Sequence, residues 1–135
     1  AASDVYKRQK VQAGSDERVI FTGFVDGALR EELYSNACLF VLPSDLEGMP
    51  LCLLEAMSYG NCVITSDIEE CTNVIHDNGI SFRKSDVDDL AQKLTYALSH
   101  PNTVRMFKWL AAEYVCTRFP WERIVEETLA LYEKK

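Results

Sequence analysis

The sequence predicts an α/β fold: about four short parallel strands with flanking helices, followed by a helical carboxyl-terminal segment. Three observations carry this. Short apolar runs, Val19-Ile20-Phe21-Thr22, Cys38-Leu39-Phe40-Val41-Leu42 and Cys62-Val63-Ile64-Thr65, each stop at Pro, Gly or polar residues, as buried strands do. Stretches of helix formers lie between them, and alternating strands and helices argue for a parallel sheet with right-handed crossovers. Beyond Ile80-Ser81-Phe82-Arg83, a short fourth strand entered through the Asn78-Gly79 turn, only helical patterns remain.

In chain order, residues 5–13 read as a short helix before the turn at Gly14-Ser15-Asp16, and Val19–Thr22 as the first strand. After the Gly23-to-Gly27 turn, Leu29, Leu33 and Tyr34 share one face of a helix that reaches Ala37. Leu39–Leu42 is the second strand. Pro43 ends it, a polar turn containing Gly48 follows, and Pro50 opens a helix from Leu51 to Tyr59. Pro50 suits a first helical position, where its missing N–H would have had no partner, and Gly60 suits the residue just past the end. Cys62–Thr65 is the third strand, and residues 67–75 read as loop and a short helix.

Three helices finish the chain. Ser85-Asp86 caps one running to Ser99, with Val87, Leu90, Leu94 and Leu98 as its core stripe. Pro101-Asn102-Thr103 leads a second, Val104 to about Thr117. Pro120-Trp121 opens the third, to Glu133, with Trp121, Ile124, Val125, Thr128, Leu129 and Tyr132 at helical spacing. Trp109 and Trp121 read as packing residues. No internal repeat or low-complexity linker appears.

The stretch from Ser44 to Met57 organises the rest. Its loop follows a strand and precedes a helix, where free N–H groups and the positive end of the helix dipole favour an anion such as a phosphate. Ligand sites of open α/β sheets lie at that edge. Glu47 sits in the loop, and Glu55 lies five residues past Pro50, roughly 7.5 Å further along the axis. Carboxylates repel phosphate but accept hydrogen bonds from sugar hydroxyls. An anionic centre with a hydroxylated ring on either side, as in a nucleotide sugar, satisfies all three features. Two arbitrary glutamates would instead be a solvated loop residue and an exposed helix residue.

The whole string decides between those readings. Glu47-Gly48-Met49-Pro50-Leu51-Cys52-Leu53-Leu54-Glu55-Ala56-Met57-Ser58-Tyr59-Gly60 resembles the E-x7-E signature of retaining glycosyltransferases of the double-Rossmann (GT-B) fold, the group 1 family that uses UDP-, GDP- or ADP-sugars. Val19–Val25, Phe40–Ser44 and Gly60–Ser66 resemble further family blocks in the family order, so the likeness covers roughly residues 11 to 130. It implies a partial Rossmann-like domain, the carboxyl-terminal half of a GT-B fold.

By this resemblance Glu47 is the catalytic-site residue, contacting hydroxyls of the transferred sugar, and Glu55 contacts the ribose hydroxyls. The backbone N–H groups of Gly48, Met49 and Leu51 face sugar and diphosphate, while Gly23, Phe24 and Val25 border the base. Pro50 has no N–H to donate. The resemblance implies transfer of a hexosyl unit from a nucleotide diphosphate sugar, with no metal and no cofactor. Where the family often has Gly-Gly, Glu69-Glu70 stands here, as a solvated acidic turn or as a specificity element.

Residues 1–9 match no family block and read as a non-native or disordered leader, leaving 10–135 as an incomplete nucleotide-sugar-binding domain. Two further strands, a loop whose Arg and Lys neutralise the diphosphate, and the amino-terminal acceptor domain are the family parts that find no match. In a doubly wound order of 3-2-1-4-5-6 the strands here would leave a gap. The expectation is therefore either a closed four-stranded sheet, with Val19–Thr22 paired directly to Leu39–Leu42, or a homodimer that covers the open edge. The fragment alone is expected to be inactive.

Composition is that of an ordinary globular domain: 135 residues, 47% hydrophobic and 26% charged. A net charge of −7 disfavours nonspecific attachment to nucleic acid or to an anionic membrane. No apolar run approaches the ~18 to 20 residues of a membrane span, and no signal peptide is visible. Five scattered cysteines and two distant histidines argue against a disulfide framework or a zinc site and point to a reducing cytoplasm. Cys38, Cys52 and Cys62 read as small buried hydrophobes.

Two rivals compete with this reading. One is a non-catalytic nucleotide-binding or interaction module on the same scaffold, since fold does not fix function. The other, a phosphoryl-accepting receiver-like domain, needs clustered Asp residues after the first strand, where Gly23, Phe24 and Val25 stand instead. Within the family, a sugar-nucleotide epimerase or a glycogen-synthase-like enzyme would carry the same stretch.

Overall fold

A parallel ladder of three strands forms the centre of the computed structural model, which describes residues 2–133. Strand β1 (Leu39–Leu42) pairs with β2 (Cys62–Ser66), and β2 with β3 (Ile80–Phe82), in the order β1-β2-β3. Leu39 lies opposite Cys62, Val41 opposite Ile64, and Ile64 opposite Ile80. Because side chains alternate along a strand, this register sorts the apolar residues onto two faces. Phe40, Leu42 and Val63 join one cluster; Leu39, Val41, Cys62, Ile64, Ile80 and Phe82 join the other. Both faces of β2 are covered and all five of its residues are buried, as expected of a near-continuous apolar run in a parallel sheet.

Helices cover both faces. On the first, α3 (Leu51–Ser58) buries Leu53, Ala56 and Met57, and α4 (Glu69–Ile75) buries Cys71, Val74 and Ile75. On the second lies α5 (Val87–Ser99), through Leu90, Leu94 and Ala97. The long α6 (Pro101–Arg118) serves both, with Ala111 and Val115 in one cluster and Val104 and Phe107 in the other. Helix α7 (Trp121–Glu133) ends the described chain.

Local chemistry explains the boundaries. Gly60, at φ 72°, closes α3 with the N–H of Gly60 on the Met57 carbonyl and that of Asn61 on the Ala56 carbonyl, the paired bonds of a Schellman end. The Asp86 carboxylate accepts the N–H of Asp89 at 2.8 Å and starts α5.

The chain divides into two units, residues to Glu31 and residues from Glu32. In the first, α1 (Ala2–Ala13) is longer than the expected helix from residue 5 and takes in positions set aside as a leader. Tyr6 meets Phe21 edge-on at 5.6 Å, and Asp16 and Arg18 are paired at 2.7 Å. Helix α2 (Gly27–Asn36) crosses from one unit to the other.

Several expectations are corrected. Val19–Thr22 forms no strand, so the closed four-stranded sheet does not form and three ladder strands stand where about four were expected. A strand needs a ladder partner for its N–H and C=O groups, and Ile20 stays largely exposed. Trp109 and Trp121 are 73% and 68% exposed rather than packed. All of α7 is exposed, and Leu29, Leu33, Val87 and Leu98 also face outward. Of the three cysteines read as buried, Cys62 is buried, Cys52 half-buried and Cys38 exposed; all five cysteines are free thiols.

Candidate functional site

The loop from Pro43 to Pro50 leaves the carboxyl end of β1 and is tied to the carboxyl end of β2 and to the turn that follows β3. Ser66, the last residue of β2, donates its buried hydroxyl to the Ser44 carbonyl. Ser44 in turn donates its hydroxyl to Glu47 Oε1 at 2.6 Å. Beyond β3, Ser85 donates to Asp45 Oδ1 at 2.8 Å from a left-handed backbone conformation, φ 60°. Lys84 N–H, beside it, donates to Asp67 Oδ1 at 2.8 Å. These ties hold the loop at the sheet edge where α/β ligand sites form.

Two thiols lie within the field of Glu47. Burial pushes the Cys52 thiol up, and the negative charges of Glu47 and, less, Glu55 push the same way. Burial also raises Cys71, with Glu47 and Glu70 adding to it and the Thr65 hydroxyl opposing. Glu47 therefore lies near the thiols of both α3 and α4, and both glutamates act on Cys52. Glu55 is half-buried on α3, and its Oε2 accepts the Tyr34 hydroxyl at 3.3 Å.

Pro50 is not the first helical residue. It is the N-cap, at φ −76° and ψ 78°, and its carbonyl accepts the N–H groups of Leu53 and Leu54 at 3.0 and 3.2 Å. Leu51 opens the helix, and its N–H is already bonded to the Met49 carbonyl at 2.8 Å. A tight turn has formed where a first-position proline was expected, and it engages one of the three amides assigned to the diphosphate. Gly48 is exposed, and a Cβ placed there would meet nothing within 4 Å.

Of the sequence-predicted residues, Glu47, Gly48 and Met49 lie on the loop before α3, Leu51 opens that helix, and Glu55 follows one turn later. Gly23, at φ 67°, and half-buried Val25 belong to the first unit. The loop surface is open, with Leu46 82% and Met49 49% exposed. A groove of about 420 Å³ lined by Asn78, Leu110, Glu113, Tyr114, Thr117 and Arg118 lies elsewhere, beside the turn that enters β3. Among the described residues no cluster of His, Cys, Asp or Glu is arranged to hold a metal, and no helix is long and apolar enough to cross a membrane.

The sequence profile of the family described as "Glycosyl transferases group 1" matches residues 2–100. The chain belongs to this glycosyltransferase family. It is 31% identical over 124 residues to an uncharacterized glycosyltransferase of Methanocaldococcus jannaschii, covering 90% of this chain and 32% of that protein. It is 30% identical over 128 residues to the O-antigen chain mannosyltransferase B of Escherichia coli, covering 93% of this chain and 33% of that one. Among solved structures, the sucrose-phosphate synthase of Thermosynechococcus elongatus superposes with a TM-score of 0.83 at 27% identity, over 96% of this chain and 34% of the other. The α/β fold is thus the Rossmann-like arrangement of GT-B glycosyltransferases. The chain spans about a third of the length of the curated relatives it matches.

Several supports of this loop carry no signal in the sequence. Ser44, Ser66 and Ser85 are small polar residues at strand ends, and no local pattern marks them as hydrogen-bonded to one another's loops. Helical spacing assigns Tyr34 only to an apolar helix face, whereas its hydroxyl reaches a carboxylate 21 positions away.

Proposed function

We propose that this chain is the donor-binding part of a retaining glycosyltransferase that moves a hexosyl group from a nucleotide diphosphate sugar to an acceptor. The observation that supports the reading most is Glu47 on a loop fastened to the end of β2 and to the turn after β3, with Glu55 on the helix that this loop leads into. The amides of Gly48 and Met49 and the positive end of α3 meet the diphosphate. As the bond between sugar and diphosphate breaks, negative charge grows on the departing phosphate oxygen, and donors fixed beforehand stabilise it. Glu47, held by Ser44, orients the sugar through its hydroxyls. Glu55 grips the ribose, and Gly23 and Val25 border the base.

The acceptor is held by an amino-terminal domain outside this chain, and the chain alone is inactive. Among the described residues β1 carries a ladder on one side only, and association of two copies covers the other edge. Calorimetric titration with UDP, GDP and UDP-glucose tests the donor reading. Saturable binding of a diphosphate or its sugar is expected. A folded chain that binds none of them is an interaction module on a shared scaffold, and the reading falls.

A further inference from the structure

We propose that Tyr34 is a positioning residue that holds the Glu55 carboxylate in the orientation that receives the two ribose hydroxyls; the inference rests on the donor reading above. The phenol hydroxyl donates to Glu55 Oε2 at 3.3 Å. Glu55 is half-buried on α3, one turn from Leu51 and one from Tyr59, and its side chain has three torsions to be fixed before a ligand can be gripped in one geometry. A carboxylate offers about four acceptor positions, so a bond from the phenol is compatible with bonds from a vicinal diol.

Tyr34 is itself fixed at three points, which is what a positioning role requires. Its ring stacks on Tyr59 with centroids 5.5 Å apart and planes 20° from parallel, and it leans on Phe40 at 5.8 Å. Its main-chain carbonyl accepts the Asn61 side-chain amide at 2.8 Å. Asn61 is 1% exposed, and the same Nδ2 also donates to the Ala56 carbonyl at 3.0 Å. One buried amide therefore joins the last turn of α2 to the turn of α3 that carries Glu55. The phenol cannot swing away from α3 without disturbing that bridge or the Tyr59 stack. Pre-orienting a binding group in this way raises affinity by removing ordering that would otherwise accompany binding.

The test uses the full chain with UDP, GDP and their 2′,3′-dideoxy counterparts, titrated into wild type, Tyr34→Phe, Glu55→Gln and the double variant. Tyr34→Phe keeps the ring and its stacking. It is expected to weaken binding of the ribonucleotide that the wild type takes by roughly three- to tenfold, to leave the dideoxy compound unchanged, and to add nothing to the loss in Glu55→Gln. Equal weakening of ribo and dideoxy forms, or losses that simply add, would assign Tyr34 to packing and overturn the proposal. Wild-type binding that Tyr34→Phe leaves untouched overturns this inference alone. A wild type that takes neither UDP nor GDP removes the donor reading, and the proposal with it.

Discussion

The hydroxyl of Ser66 is bonded to the main-chain carbonyl of Ser44, so the end of one strand fixes the second residue of the loop that follows its neighbour. Through the Ser44 hydroxyl the same connection reaches Glu47. Ser66→Ala leaves a loop carbonyl without its donor and should lower stability by about 1 kcal/mol. Urea unfolding measures this. A midpoint equal to wild type would mean that the tie contributes nothing.

Gly48 has space around it and an ordinary backbone conformation, so Gly48→Ala should leave the unfolding midpoint unchanged. If ligand approaches the loop from that side, the added methyl should nevertheless weaken diphosphate binding. An alanine variant with wild-type affinity would place the ligand elsewhere.

Gly79 is the opposite case. A Cβ there would lie 2.7 Å from Val63 Cγ2 and 3.3 Å from Ile75 Cβ, both on buried side chains. Gly79→Ala should destabilise by ~1 to 3 kcal/mol through overpacking, and adding Val63→Ala should restore part of that. Denaturant midpoints of the single and double variants check the claim, and additive losses would contradict it.

Burial pushes the Cys62 thiol up to about 11 from an ordinary 9.0, with the Lys108 ammonium opposing and Cys38 adding slightly. The protonated thiol is favoured in the folded state. Its contribution to stability is complete below pH 9 and is lost as pH rises towards 11, because the unfolded chain then releases the proton first. The urea midpoint should fall over that window, and less steeply in Cys62→Ala. Thiol labelling at neutral pH should modify exposed Cys38 and Cys116 well before buried Cys62 and Cys71.

Much of this architecture was legible because its determinants are local. Leu39–Leu42 is bounded by residues that cannot continue it, and Gly60 and Asp86 mark helix ends through their own backbone and side-chain chemistry. Val19–Thr22 has the same apolar look, but strand formation depends on a ladder partner that no local pattern encodes. Helical spacing located α7 correctly and misjudged its cover, since periodicity reports a face and not what lies against it. At the site, Glu47 and Glu55 were visible as a spaced pair. The Tyr34 contact and the serine ties were not, because they join residues brought together only by the crossover connections.

The most direct test of the loop's role is a paired calorimetric titration of a nucleotide sugar and its free diphosphate into wild type, Glu47→Gln and Glu55→Gln. The account predicts that Glu47→Gln loses affinity for the nucleotide sugar while binding the diphosphate normally, and that Glu55→Gln weakens both alike. Two variants that bind both ligands as wild type does, or a Glu47→Gln chain that loses the diphosphate as severely as the sugar nucleotide, would contradict it.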